Sequence, residues 1–109
     1  MAIPHLAAGQ PIDILPLAGA LKEARTVALF KTEQLEVMRL VLLAGKSLPP
    51  HKVTGEITIH CLEGSMEVRI EDASRTLTAN QMMYLSGGAM HSLIALEDAS
   101  ALVSIVLHK

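Results

Sequence analysis

The apolar positions of this chain change their rhythm near residue 25. Before it, Ile12, Ile14, Leu15 and Leu17 are scattered among Pro11, Pro16 and Gly19. Proline lacks an amide proton and its ring clashes within a helix, so no long helix is expected there. Leu17 to Ala24 has room for one or two helical turns, with Lys22 and Arg25 near the C-terminal end where a cation is favoured. Residues 1–24 are therefore expected to form an arm that packs on the rest of the chain or on a partner, and residues 25–109 to form the domain itself.

From Thr26 the pattern is one of strands. Thr26 to Phe30 is the first, and Leu35 to Leu43 follows a polar Lys31-Thr32-Glu33-Gln34 turn. Within it, Leu40-Val41-Leu42-Leu43 does not alternate, and a strand apolar on both faces is buried on both. A small antiparallel barrel has only one face on its core. Either the arm or a second copy of the chain must cover the other, and this is the argument for a homodimer. Ala44 to Ser47 turns the chain, and Pro49-Pro50 holds it extended up to His51. Ile57 to Leu62, Met66 to Ile70, Arg75 to Thr78, Met82 to Leu85, His91 to Leu96 and Ala101 to Leu107 read as further strands. They are split by turns at Glu63-Gly64-Ser65, Glu71 to Ser74, Asn80-Gln81, Ser86 to Ala89 and Glu97-Asp98. Met66 to Ile70 alternates cleanly, as a half-buried strand does. About nine short strands at this spacing predict an all-β sandwich or barrel.

Composition narrows the chemistry. A chain of 109 residues fits one domain. There is no Trp, one Phe and one Tyr, so the core must come from Ile, Leu, Val, Met and Ala. A formal charge of −2 offers no basic surface for nucleic acid or an anionic membrane. The lone cysteine, Cys61, cannot form an internal disulfide, which suits a reducing compartment. No apolar run approaches the ~20 residues of a membrane span, and the N-terminus lacks the pattern of a secretory signal. A cytoplasmic location is expected. There is no nucleophile elbow, phosphate loop or cysteine pair.

Two histidines stand out by position. His51 follows the double proline and opens a stretch that ends at Gly64; His91 follows the Gly87-Gly88 turn. The places Gly45, His51, Val53, Ile57 and Gly64, then Asn80, Ser86, Gly88, His91 and Ala95, resemble the two motifs of the cupin superfamily. The resemblance covers roughly residues 35 to 107. It implies a single jelly-roll-like antiparallel β-barrel, often holding a metal and a small molecule. It matches at the turn glycines and at one histidine per motif. Where the family pattern has a second histidine, a glutamate and an asparagine, this chain has Val53, Ile57 and Ala95. Metal-binding members supply three histidines and a carboxylate; His51 and His91 alone fall short.

Strand parity sorts the further candidates. If the strand after His51 runs regularly, Val53, Ile57, Ile59 and Cys61 face inward, and Glu56, Thr58 and His60 face out. A bulge near Gly55 would reverse this and bring Glu56 and His60 toward the two histidines. Burying each isoleucine contributes ~1.5–3 kcal/mol. Burying a carboxylate without a metal or ion partner costs about several kcal/mol. The balance favours the apolar register.

The expected pocket is thus lined by His51, Val53, Ile57, Cys61, Tyr84 and His91. The leading reading is a small-molecule-binding cupin with a reduced or absent metal site. A second is a metal-dependent oxygenase or isomerase, with a divalent Zn, Fe, Ni, Mn or Cu ion on His51, His91 and one of Glu56, His60 or Cys61. A third is a structural or regulatory dimer. Cys61 otherwise reads as a small buried hydrophobe, and Met38, Met66, Met82, Met83 and Met90 as core filler. Arg39 is expected to pair with an acidic group such as Glu36, or with an anionic ligand. His5 and His108, near the termini, are given no role.

Overall fold

The computed structural model describes residues 6–107; His5 and His108 lie outside them. A short 3-10 helix, Ala18–Glu23, precedes nine strands among the described residues. They are β1 (Val27–Lys31), β2 (Leu35–Leu42), β3 (Ser47–His51), β4 (Ile57–Glu63), β5 (Ser65–Ile70), β6 (Ala73–Thr78), β7 (Met82–Leu85), β8 (His91–Ala95) and β9 (Ala99–Val106). One sheet has the order β1-β2-β9-β4-β7 and the other β3-β8-β5-β6, and every pairing is antiparallel. This is a jelly roll of two facing sheets. The final strand begins at Ala99, earlier than the expected Ala101, and inserts between β2 and β4.

The core follows from side-chain parity. On β2, Leu40 and Leu42 are buried in it; opposite them on β9 stand Ala101 and Ala99. On β4, Ile57, Ile59 and Cys61 point inward, facing Ile105, Val103 and Ala101 across the ladder. Small alanines beside large neighbours let the layers interdigitate at close-packed density. The opposing sheet contributes Met66, Val68, Leu77, Leu93 and Ala95. Ile59 is only 1% exposed, so sliding β4 by one residue would forfeit the burial of three side chains. The chain adopts the apolar register. A bulge does occur on β4, but it lies between Cys61 and Glu63, far from Gly55. It lets both Cys61 and Leu62 be buried and turns Glu63 out toward Ser100.

The arm covers part of the outer face of the larger sheet. Arg39 is buried there, and its guanidinium donates to the carbonyls of Leu15 (2.9 Å) and Asp13 (3.4 Å). It is not paired with Glu36. On a strand, residues three apart point to opposite faces, which explains why that local pairing fails. Glu63 completes the hold. Its carboxylate accepts from the amides of Leu17 (2.9 Å) and Ala18 (3.0 Å) and from the Ser100 hydroxyl. The outer face of β2 is thus bonded, at Arg39, by the chain's own N-terminal segment.

Gly64 makes the β4–β5 turn with φ of 75°. A side chain there would also place its Cβ 2.2 Å from the Asp98 carbonyl oxygen. The left-handed φ favours glycine, and the backbone contact leaves no room for a Cβ.

Candidate functional site

His51 and His91 meet across the β3–β8 ladder, where they are direct partners. Two local features bring them together. Pro49 and Pro50 cannot donate to a ladder, and the register shifts between Leu48 and His51. The shift delivers His51 opposite His91. On the other side, Gly88 donates its amide to the Val53 carbonyl at 2.8 Å. Gly87 lies so close to Thr54 that an added Cβ would stand 2.2 Å from its carbonyl oxygen. The loops flanking the two histidines are thus pressed backbone to backbone.

The pair straddles the rim of the core. His91 alternates with Leu93 and Ala95 as an inward residue and is 4% exposed, whereas His51 is open to solvent. Their ring centroids are 4.3 Å apart, with the planes tilted by 56°. Each ring is braced in the same way. His51 Nδ1 is 3.0 Å from the Pro49 carbonyl, and His91 Nδ1 is 3.0 Å from the Ala89 carbonyl. A carbonyl oxygen only accepts, so in the neutral ring Nδ1 carries the proton and Nε2 keeps its lone pair. The result is two adjacent Nε2 acceptors with no hydrogen bond to another described residue.

The other expected site residues fall into three groups. Val53 packs against the core, half-buried, and Ile57 is part of it at 4% exposure. Cys61 is fully buried, and its Sγ donates toward the carbonyls of Glu63 (3.4 Å) and Gly64 (3.7 Å). Burial pushes its thiol up from 9.0; the backbone bond to Glu63 pulls back, and the Glu63 and Glu97 charges push up again. It is a packing residue held protonated, not a thiolate ligand. Tyr84 is not in the pocket at all. It pairs with Thr58 on the outer face of the larger sheet and is 70% exposed. Met83 and Leu85 take the inward positions of β7, which sends Tyr84 the other way. Glu56 lies at the same outer face as Thr58 and Tyr84, and His60, two residues beyond Thr58 on β4, shares its side. No third ligand joins the histidines from Glu56, His60 or Cys61.

A metal can be tested against this donor set. The Nδ1–carbonyl bracing is the support that metal-bound histidines usually have. Yet zinc sites use three or four protein ligands, and the two-histidine iron sites need a carboxylate. Among the described residues, no group of three His, Cys, Asp or Glu side chains is placed to hold a metal ion. The residues present do not fit a resident metal by themselves.

The residue that sequence reasoning passed over is Glu63. Its carboxyl is drawn up by burial, but the bonds from Ser100, Leu17 and Ala18 and the charge of Arg39 outweigh that and hold it below its usual 4.5. Its amide partners lie 45 and 46 positions earlier in the chain, so only the folded arm reveals it.

Two facing antiparallel sheets with paired histidines at one rim define a jelly-roll protein. No protein-family model and no curated protein matches the sequence. Solved structures do match. A cupin superfamily protein from Desulfitobacterium hafniense superposes with a TM-score of 0.79 at 15% identity, over 99% of this chain and 100% of that one. An RmlC-like cupin from Desulfovibrio desulfuricans gives 0.74 at 24% identity, over 89% and 96%. KdgF from a Halomonas species gives 0.71 at 20% identity, over 77% and 80%. The chain has the cupin fold.

Proposed function

We propose that this chain binds a small polar molecule at the rim of the jelly roll, with His51 and His91 as its anchors. The observation that carries this is the pair of unengaged Nε2 atoms on neighbouring, carbonyl-braced rings. Two acceptors on rings this close suit a ligand with adjacent O–H or N–H donors, such as a diol or a primary amide. Val53 and the core behind it supply the apolar wall usual in such sites. The test is an NMR titration of the imidazole resonances with small diols and primary amides. Saturable shifts at both rings, lost in His91→Ala, are expected. Binding that survives both His51→Ala and His91→Ala would refute the assignment, as would full metal occupancy in protein purified without added metal.

The bracing of both rings favours a second reading, a metal-dependent enzyme of the oxygenase or isomerase kind. Here the two imidazoles hold a divalent ion whose other positions are filled by the ligand itself. Zinc titration distinguishes the two. In this reading His51→Ala and His91→Ala each weaken metal binding by about tenfold or more, and small-molecule binding requires the metal.

A further inference from the structure

On the opposite side of the molecule from its core, the larger sheet carries a cleft that the histidine site does not explain. It has a volume of about 440 Å³ and is lined by Leu35, Glu56, Thr58, Tyr84, Ser104 and Val106. The ladder places these side by side: Leu35 pairs with Val106, and Ser104 with Thr58, which pairs in turn with Tyr84. Four adjacent strands thus present one lateral row, with Glu56 at its end. The arm is bonded elsewhere on this face, at Arg39 and Glu63.

We infer that this cleft binds a small organic cation, an alkylammonium group with its carbon chain. Its one charged lining group is the Glu56 carboxylate; no Lys, Arg or His lines it. An anionic ligand would therefore meet a like charge and no compensating cation. The side chains of Glu56, Thr58, Tyr84 and Ser104 make no hydrogen bond or ion pair to another described residue. Together a carboxylate and three hydroxyls offer about ten lone-pair positions against about three O–H donors. Such an acceptor-rich set matches a ligand that only donates, as an ammonium does. The Tyr84 ring, which lines the cleft and is 70% exposed, is an aromatic group of the kind that attracts a cation. Leu35 and Val106 give the carbon chain an apolar floor.

The experiment is a two-dimensional amide NMR titration of the full chain with hexylammonium, run beside hexanol, hexanoate and methyl glucoside. Saturable shifts confined to Thr58, Tyr84, Ser104, Val106 and their neighbours are expected with the amine. Glu56→Gln is expected to weaken that binding at least about fivefold, and the alcohol to bind at least about fivefold less tightly than the amine. His91→Ala, which disables the rim site, should leave it unchanged, so the two assignments fail independently. The inference is overturned if hexanol binds as well as the amine, if methyl glucoside binds better, or if no site-specific shift saturates. It is also overturned if sedimentation shows a dimer and these same amides shift with protein concentration alone, since a second copy would then occupy the cleft.

Discussion

Removing the Glu63 carboxylate should unhook the N-terminal arm. In Glu63→Ala the amides of Leu17 and Ala18 and the Ser100 hydroxyl lose their common acceptor. A hydrogen bond to a charged group contributes about 1.5–3 kcal/mol. Glu63 is only partly buried, so the low figure applies, and three such bonds come to about 4.5 kcal/mol. Part of this is offset. Ala18 sits at φ of 50°, a left-handed conformation costing about 1–2 kcal/mol in a residue with a Cβ, and a freed arm relaxes it. The net expected loss is about 2.5–3.5 kcal/mol, or roughly 10–28 °C in Tm for a domain near this size. Glu63→Gln keeps one acceptor oxygen and should lose less. The pH dependence has a definite sign. The folded carboxyl lies below its ordinary 4.5, so its contribution is complete above that value and drains away as pH falls through the folded value. The gap in stability between the natural chain and Glu63→Gln should therefore close on acidification below 4.5. Thermal melts across that range, with hydrogen exchange at Leu17 and Ala18, make the measurement. The reasoning is refuted if Glu63→Ala melts within about 2 °C of the natural chain while both amides exchange as slowly as before.

Three other outcomes follow from positions already described. Gly64→Ala meets the Asp98 carbonyl at 2.2 Å and a left-handed φ together, and should cost about 3 kcal/mol or more in denaturant unfolding, among the largest single effects. Gly87→Ala pushes against the Thr54 carbonyl and should part the loops beside the histidines; the imidazole resonances of His51 and His91 should move while core methyl resonances stay in place. Cys61, buried and held protonated, should ignore a thiol reagent in native protein and react only at the rate of unfolding.

Much of the fold was readable because burial leaves the core strands little choice. Ile57, Ile59 and Cys61 share a parity, and the alternative parity would have put Thr58 and His60 inside. That asymmetry sets the register without any knowledge of neighbours. Tyr84 was misplaced for the complementary reason. Met82-Met83-Tyr84-Leu85 is apolar at every position, so the period of two is present but its phase is not. The phase comes from pairing with β4, where Met83 lies opposite Ile59. Glu63 was invisible for a third reason: the bulge after Cys61 reverses parity, and the donors that give the carboxylate its purpose sit on an arm with no strand pattern of its own.

The rim site shows how fold and chemistry can separate. The position where the family resemblance puts a carboxylate is Ile57, and here it is a core residue at 4% exposure, packed within the same cluster as Ile59 and Leu85. An ionised carboxylate there would cost about several kcal/mol unless a cation compensated it. With isoleucine, the burial is favourable by ~1.5–3 kcal/mol on its own. The two solutions are mutually exclusive at one site: the first makes the core depend on a bound ion, the second frees it from one. What survives of the polar set is the part that the backbone itself braces, His51 by Pro49 and His91 by Ala89. Those two rings need no ion to keep their places, since carbonyls orient them and the ladder joins them. A pair built in this way is preorganised to accept hydrogen bonds in the absence of metal, which is why we propose ligand binding before metal chemistry.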